Sequence, residues 1–321
     1  MFALRIIPPE HSSAPVTLSP SSFFESIDKL DRDEVFKLYK KHGAILFRGY
    51  RLNKANFRRL ADDFCSGFVR NRAVGRKNLS KDQRLQSVNL GGTMFPFHPE
   101  ISREPWRPDT IFFGCLKAPK DAPTQLADGT AMVKAMQEET RQTLSTTRLL
   151  YQHPTTKENA ERWLGIEDAT LSALDQAGDS KPFRFEIDDD GNYIRVFTVP
   201  CLYKPMFSEN LAFGNHILFS RFFHNIRTFP LLEDYSEIPE NLCQEMNDLA
   251  HKICYTHLWR KGDILMVDNT RFMHGRPEYK EDGKRVIMSQ FGYLKNASVD
   301  SEDIHNGPWR QTPVWIEEDA S

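Results

Sequence analysis

Residues 262–276 read GDILMVDNTRFMHGR, and this stretch decides the fold. A Gly-Asp turn precedes the apolar run 264–267, and an Asp-Asn pair ends that run. Short apolar runs bounded by turn residues are typical of buried β-strands. His274 stands near the end of the stretch, beside a glycine that allows the backbone to approach another group closely. The stretch therefore predicts a buried strand that leads to a candidate functional histidine.

Beyond about residue 86, the rest of the chain shows the same pattern of short apolar runs separated by turn residues. Short apolar runs between glycines and prolines recur, for example at 110–114, 193–197 and 285–293. Helical spacing is limited to shorter segments, which are 31–41, 53–68, 128–138, 217–225 and 238–256. This order predicts a mainly β fold with α decoration, in which a core of barrel or jelly-roll type is flanked by helices.

The length of 321 residues favours one elaborated domain, because single cores seldom grow beyond about 300 residues. We therefore expect one domain over residues 1–321. The segment from residue 155 onward is polar and acidic, and it interrupts the series of apolar runs that predict strands. We expect residues 155–215 to form an insertion or lid region within the domain.

Charge and composition exclude several classes of protein. The chain has 42 Lys and Arg against 44 Asp and Glu, so its formal net charge is −2. A nucleic-acid partner is not expected, because proteins that bind nucleic acids need a basic face. The apolar fraction of 40% excludes global disorder. No stretch has the ~20 apolar residues of a membrane span, so no membrane partner is expected. Five scattered cysteines without a CxxC pair, and no signal-peptide pattern, predict a cytoplasmic protein.

A second motif, MFPFHPEI at residues 94–101, places His98 two residues before Glu100. In a strand, residues two apart project to the same face, so both side chains can point into one cavity. An imidazole with a carboxylate suits a divalent ion such as Fe(II). An H-x-E triplet alone is weak evidence, because histidines are common in cores and glutamates on strand edges.

Arg285 stands eleven residues after His274 and opens the apolar run that follows. A guanidinium at the start of a core strand is costly unless it has an anionic partner, because burial removes its hydration. The arginine therefore predicts an anionic partner at this point of the chain.

The combined order of H-x-E, a long gap, GDxxxxDNxxxxHGR and an arginine resembles the Fe(II)/2-oxoglutarate-dependent oxygenases. Within them it is most similar to the taurine dioxygenase-like (TauD/TfdA) and clavaminate synthase-like branch. Residues 107–119 and 122–129 resemble that branch's strand, threonine and Ala-Asp helix start. The resemblance implies a double-stranded β-helix (jelly-roll) core.

The resemblance also implies the cofactor set and the roles of five residues. His98, Glu100 and His274 would hold Fe(II) as the catalytic metal triad. Arg285 would bind the distal carboxylate of the cosubstrate 2-oxoglutarate, and the Thr124 hydroxyl would bind the same group. O2 would be the second cosubstrate.

The implied reaction is hydroxylation, desaturation or cyclisation at an unactivated C–H bond, with release of succinate and CO2. Branch resemblance implies a small amino-acid-like substrate, free or tethered to a carrier protein, in secondary metabolism. Ser289 stands where taurine dioxygenases have a substrate-binding arginine, which argues against a sulfonate substrate. Glu100 is present where halogenases have a small residue, which favours hydroxylation or desaturation over halogenation.

Several residues have two interpretations at this point. Thr124 is either a 2-oxoglutarate ligand or a helix-entry residue. Asn215 either lines the substrate pocket or caps the next helix. Arg276 either serves the site or pairs with Glu278. The basic run 70–76 is either a solvated loop or a docking site for a carrier protein.

Two further functions compete with the oxygenase. A non-catalytic member of the same fold would bind a metabolite for regulation, but all five predicted positions are intact in this sequence. A zinc hydrolase would need an activated water and has no role for Arg285 or Thr124.

Overall fold

The computed structural model describes residues 5–22, 25–89, 91–177, 183–280, 285–295, 297 and 308–315. In chain order, the strands within these residues are β1 Arg5–Ile7, β2 Val16–Ser19, β3 Ala44–Phe47, β4 Cys65–Val69, β5 Gln86–Ser87, β6 Phe95–His98, β7 Thr110–Lys117, β8 Thr124–Asp128, β9 Arg148–Thr155, β10 Phe183–Ile187, β11 Tyr193–Pro200, β12 Leu202–Tyr203, β13 Ala212–Phe213, β14 Leu231–Leu232, β15 Tyr255–His257, β16 Ile264–Asp268, β17 Phe272–Arg276, β18 Val286–Leu294 and β19 Val314–Trp315. The α-helices are α1 Arg32–His42, α2 Lys54–Phe64, α3 Gly129–Ala135, α4 Glu138–Thr146, α5 Lys157–Leu164, α6 Leu171–Ala177, α7 Ile217–Phe222 and α8 Glu240–Ile253.

These strands form three larger sheets and one short pair. The largest sheet has the order β1-β2-β3-β16-β7-β18-β4-β19, and β5 pairs with β18 at its side. A four-stranded sheet has the order β15-β8-β17-β6, and another has the order β10-β11-β9-β14. The prediction of a mainly β fold with α-helices is confirmed.

The run that decided the fold, β16, lies inside the largest sheet between β3 and β7 and is antiparallel to both. All five of its residues are buried. A strand that is covered on both faces carries a continuous apolar run, which is why this segment does not alternate. The strand thereby fixes where the polar pair Asp268-Asn269 leaves the sheet.

One predicted helix, 53–68, is wrong at its end. Asn53 caps α2 through a capping box, and the helix ends at Phe64 rather than at Phe68. Residues 65–69 form β4, which pairs with β18 and β19. Phe68 continues the helical spacing by coincidence, because strand pairing with distant segments overrides the local periodicity. The predicted helix 238–256 is shortened in the same way, since 255–257 belongs to β15.

The other local predictions agree more closely with the structure. Asp31 caps α1, and Asp128 caps α3, since its side chain accepts a hydrogen bond from the Thr130 amide. Residues 155–215 contain α5, α6 and β10 to β13, and 178–182 of this segment lie outside the described residues. No described helix has the combination of length and apolar composition that a bilayer span requires.

Candidate functional site

The two predicted histidines are brought together by strand pairing. β6 and β17 are antiparallel neighbours, and His98 and His274 are register partners with ring centroids 4.6 Å apart. The register shifts immediately after His274, where a Cβ on Gly275 would lie 2.9 Å from the Phe95 carbonyl oxygen. The close backbone approach that the sequence predicted at this glycine is therefore present, and the strand pairing is irregular directly after the histidine.

Glu100 also lies beside the two histidines, but the strand alternation that its spacing predicted is not what orients it. It lies in the turn after β6, not within the strand, so strand alternation does not orient it. The buried Asn269 side chain does: its Oδ1 accepts from the Glu100 amide at 2.8 Å, and its Nδ2 donates to the Glu100 carbonyl at 3.0 Å. The Asp-Asn pair that ends β16 thus fixes the backbone of the predicted carboxylate ligand.

The three side chains form a buried cluster with the chemistry of a metal site. One ligand atom from each of His98, Glu100 and His274 lies within 4.8 Å of the other two. Atoms that share one divalent ion at about 2.1 Å lie within about 4 Å of one another, so the spacing is close to what an ion requires. The exposed fractions are 9%, 1% and 8%. Two imidazoles and a carboxylate are the donor set of non-haem Fe(II) oxygenases.

The protonation state of His98, the last residue of β6, is the one that a metal ligand requires. Nδ1 of His98 lies 2.8 Å from the carbonyl oxygen of Pro96, and donation to this acceptor leaves the Nε2 lone pair available. Burial, with a further contribution from the neighbouring His274, lowers the pKa of His98 to about 3. The ring is therefore neutral at physiological pH, as a metal ligand must be.

The Glu100 carboxylate has two partners that the sequence analysis missed. Arg76 Nη2 donates to Oε1 at 2.6 Å, and Asn71 Nδ2 donates to Oε2 at 2.6 Å. Burial favours a raised pKa for Glu100, but the Arg76 guanidinium and His274 hold that pKa well below its usual range. The carboxylate is therefore ionised and available to a cation.

The interpretation of residues 70–76 as a solvated loop is wrong for Arg76, whose side chain is only 7% exposed. No local signal distinguishes Arg76 from the other arginines of this segment. Its burial arises from its contact with Glu100 and from its position over the Phe291 ring, with the guanidinium carbon 5.1 Å from the ring centroid.

A cavity of about 630 Å³ includes the cluster in its lining, together with Thr124 and Arg285. Arg285 lies directly before β18 and donates to the Asn89 carbonyl at 2.7 Å. Thr124 opens β8, and its hydroxyl oxygen accepts from Trp259 Nε1 at 2.9 Å. The structure thus places both predicted 2-oxoglutarate residues on the wall of the cavity that holds the predicted triad.

The two predicted substrate residues differ in placement. Arg276 lines the cavity, and its guanidinium donates to the carbonyl oxygens of Asn89, Gly91 and Thr93. Asn215 is buried and is not among the described lining residues of the cavity. Its Oδ1 accepts from the Ile217 amide at 3.2 Å, which is a helix-start contact for α7.

Asp268, next to the organising Asn269, gives a pH-dependent prediction. Burial raises its pKa from 3.8 to about 6, so the folded state binds a proton more tightly than the unfolded state. At about 1.4 kcal/mol per pKa unit, the ionisation of Asp268 lowers the free energy of unfolding by up to about 3 kcal/mol as pH rises from about 4 to above 6.

We expect Asp268→Asn to gain stability relative to the wild type over that pH interval, because the amide does not ionise. Urea unfolding at a series of pH values measures the difference. Parallel stability profiles of the two proteins would contradict the raised pKa, whatever constant offset the amide introduces.

A mainly β fold with a buried cluster of two imidazoles and a carboxylate defines a candidate mononuclear metal protein. The profile of the "Taurine catabolism dioxygenase TauD, TfdA family" matches residues 10–290. The chain therefore belongs to the TauD/TfdA family, as its motifs predicted. The family assignment and the buried cluster of two imidazoles and a carboxylate agree with the predicted cofactor set of Fe(II), 2-oxoglutarate and O2.

Individual relatives agree with this assignment. A clavaminate synthase-like protein of Arabidopsis thaliana is 23% identical over 315 residues, which cover 88% of this chain and 92% of the relative. A taurine dioxygenase structure from Burkholderia xenovorans has a TM-score of 0.61 at 12% identity and covers 95% of this chain and 96% of its own. PvcB from Pseudomonas aeruginosa has a TM-score of 0.58 at 14% identity, with 92% and 93% covered. At these identities the structures establish a shared fold.

Proposed function

We propose that this chain is an active Fe(II)- and 2-oxoglutarate-dependent oxygenase that hydroxylates an unactivated C–H bond of a small amino-acid-like substrate. Desaturation and cyclisation are variants of the same reaction, and succinate and CO2 are the coproducts. The observation that carries the proposal is the convergence of His98, Glu100 and His274 on one wall of the arginine-lined cavity. PvcB, whose fold is similar, is described as an Fe, alpha-ketoglutarate dependent oxygenase from an isonitrile synthetic pathway. This supports a role in secondary metabolism.

The residues of the chain have distinct roles in this reaction. The iron would be held by His98, Glu100 and His274. When bound, this metal would supply the oxidation of the C–H bond by O2. Arg285 would pair with the distal carboxylate of 2-oxoglutarate, since a guanidinium binds a carboxylate through two parallel hydrogen bonds. Thr124 would donate its hydroxyl proton to the same carboxylate, because its oxygen already accepts from Trp259.

The charge of the cavity supports an anionic group on the substrate. Among the described residues, six arginines and two glutamates line the cavity: Arg70, Arg72, Arg76, Arg103, Arg276, Arg285, Glu100 and Glu104. They leave an excess of four positive charges, and the added charges of Fe(II) and dianionic 2-oxoglutarate cancel. An amino acid or a related carboxylate, free or tethered to a carrier, is the class of substrate that this excess favours.

We also propose that the largest sheet and the sheet of β15, β8, β17 and β6 are the two sides of a double-stranded β-helix. Residues 1–321 would then form one oxygenase domain. Residues 155–215 would be an insertion beside that core, because β10 pairs with β11, and β11 with β9, in a separate sheet.

Incubation with Fe(II), 2-oxoglutarate, O2 and a panel of amino acids and carrier-tethered analogues tests the proposed activity. Mass spectrometry should detect the gain of one oxygen atom or the loss of two hydrogen atoms in one substrate, coupled to succinate formation. Tight anaerobic binding of 2-oxoglutarate without turnover of any substrate would instead favour the non-catalytic, metabolite-binding alternative.

Arg285→Ala is expected to raise the 2-oxoglutarate concentration for half-maximal turnover about 10- to 100-fold. Hydrogen bonds to charged groups contribute about 1.5–3 kcal/mol, and this variant loses the carboxylate anchor but keeps the metal ligands. Arg58→Ala, which removes a surface ion pair with Asp82, is the control. An unchanged half-saturation concentration would remove Arg285 from the proposed site.

A further inference from the structure

The Glu100 carboxylate is held on both of its oxygens, and the two sides differ. Oε1 faces the His274 imidazole, since it lies 3.5 Å from His274 Nε2, and Arg76 donates to the same atom. Oε2 receives the Asn71 amide nitrogen at 2.6 Å. Oε1 can use its second lone pair for a cation beside His274 while it accepts from Arg76, and Asn71 keeps Oε2 in place.

The orientation of the Asn71 amide is fixed by its own contacts. Its Oδ1 accepts from the Ala73 amide at 2.7 Å, so the nitrogen must be the atom that faces Glu100. The backbone of Asn71 is fixed as well, because Gln86 Oε1 accepts from its amide at 3.0 Å and Gln86 Nε2 donates to its carbonyl at 2.8 Å. Gln86 is 2% exposed and belongs to β5, which pairs with β18. The donor to Oε2 is therefore preorganised by a sheet.

We propose that Asn71 is a positioning residue for the iron site: it holds Oε2 of Glu100, so that only Oε1 is presented to the cation shared with His98 and His274. This inference rests on the proposed function, because it assumes that the cluster binds a divalent metal. A ligand that uses one oxygen leaves more of the metal's coordination positions to 2-oxoglutarate and O2 than a ligand that uses two.

Asn71 provides a cleaner test than Arg76. Removal of Arg76 also removes a positive charge next to the metal, and the lost repulsion favours metal binding while the lost hydrogen bond opposes it. Asn71 is neutral, so Asn71→Ala changes the orientation of the carboxylate without changing the charge of the site. Partners of this kind, in contact with a ligand rather than with the metal, typically contribute 10- to 100-fold to metal affinity.

The test measures Mn(II) affinity by calorimetry, without 2-oxoglutarate or substrate, and the visible absorption of the Co(II)-loaded protein, which reports ligand geometry. Asn71→Ala should bind Mn(II) about 10- to 100-fold more weakly and show an altered Co(II) spectrum. Gln86→Ala, which frees the Asn71 backbone without touching Glu100, should shift both readouts in the same direction by less. Asn78→Ala, whose amide contacts Gln83 on the surface, is the matched control and should leave both unchanged.

The outcomes separate this inference from the function on which it rests. Wild-type protein that fails to bind Mn(II) would overturn the metal site and the role of Asn71 with it. Wild-type binding with unchanged affinity and spectrum in a folded Asn71→Ala would overturn the role of Asn71 alone. If that variant showed only a raised KM for the substrate, Asn71 would be a substrate contact and the inference would be wrong.

Discussion

Replacement of Glu100 by alanine is expected to abolish iron-dependent turnover and to lower divalent metal affinity by more than about 100-fold. That bound follows because loss of a residue that only contacts a ligand already costs about 10- to 100-fold. His98→Ala and His274→Ala should have the same result, since each removes one of three protein donors. Metal content after dialysis and succinate formation measure the two effects.

His42→Ala is the control for the histidine variants, because His42 is the last residue of α1 and does not belong to the metal cluster. It should retain metal and turnover. Near-normal turnover in Glu100→Ala, His98→Ala or His274→Ala would refute the metal role of the residue concerned.

Arg76→Gln is expected to destabilise the metal-free protein by about 3–5 kcal/mol, because it leaves the buried Glu100 carboxylate without its cationic partner. Arg76 and Glu100 are 7% and 1% exposed at their side chains, so solvent does little to compensate. Saturating Mn(II) should recover much of this loss, since the ion supplies the missing positive charge. Thermal unfolding with and without Mn(II) measures the recovery.

Arg84→Gln is the matched control, because Arg84 pairs with Asp62 and Asp82 near the surface and does not contact Glu100. Any deficit of this variant should be the same with and without Mn(II). If the deficit of Arg76→Gln were equally insensitive to the metal, Arg76 would not act as the counter-ion of Glu100.

The residues that sequence reasoning found are those whose position depends on short, regular segments. His274 follows from the buried run of β16 and the glycine beside it, and Arg285 from its place at the start of β18. The mainly β fold follows from the density of apolar runs between turn residues.

What the sequence could not show depends on contacts between distant segments. Glu100 lies in a turn where Ile101 adopts a left-handed conformation with φ of 56°, and the side chain that fixes the turn is Asn269, 169 residues away. Asn71 and Arg76 belong to a segment whose composition indicates a solvated loop. Their positions depend on contacts with Glu100 and, for Arg76, with strand β18, and no local periodicity encodes those contacts.

The pairing of His98 with His274 across neighbouring strands has a consequence for the stage at which the chain binds iron. A slip of one residue in that ladder would turn one ring to the opposite side of the sheet, so correct strand pairing and assembly of the two imidazoles are one event. We therefore expect the metal-free chain to fold with both imidazoles in place, so that iron binds at a site that is already assembled. Protein that has lost its ion is then expected to stay folded and to bind ferrous iron again without refolding.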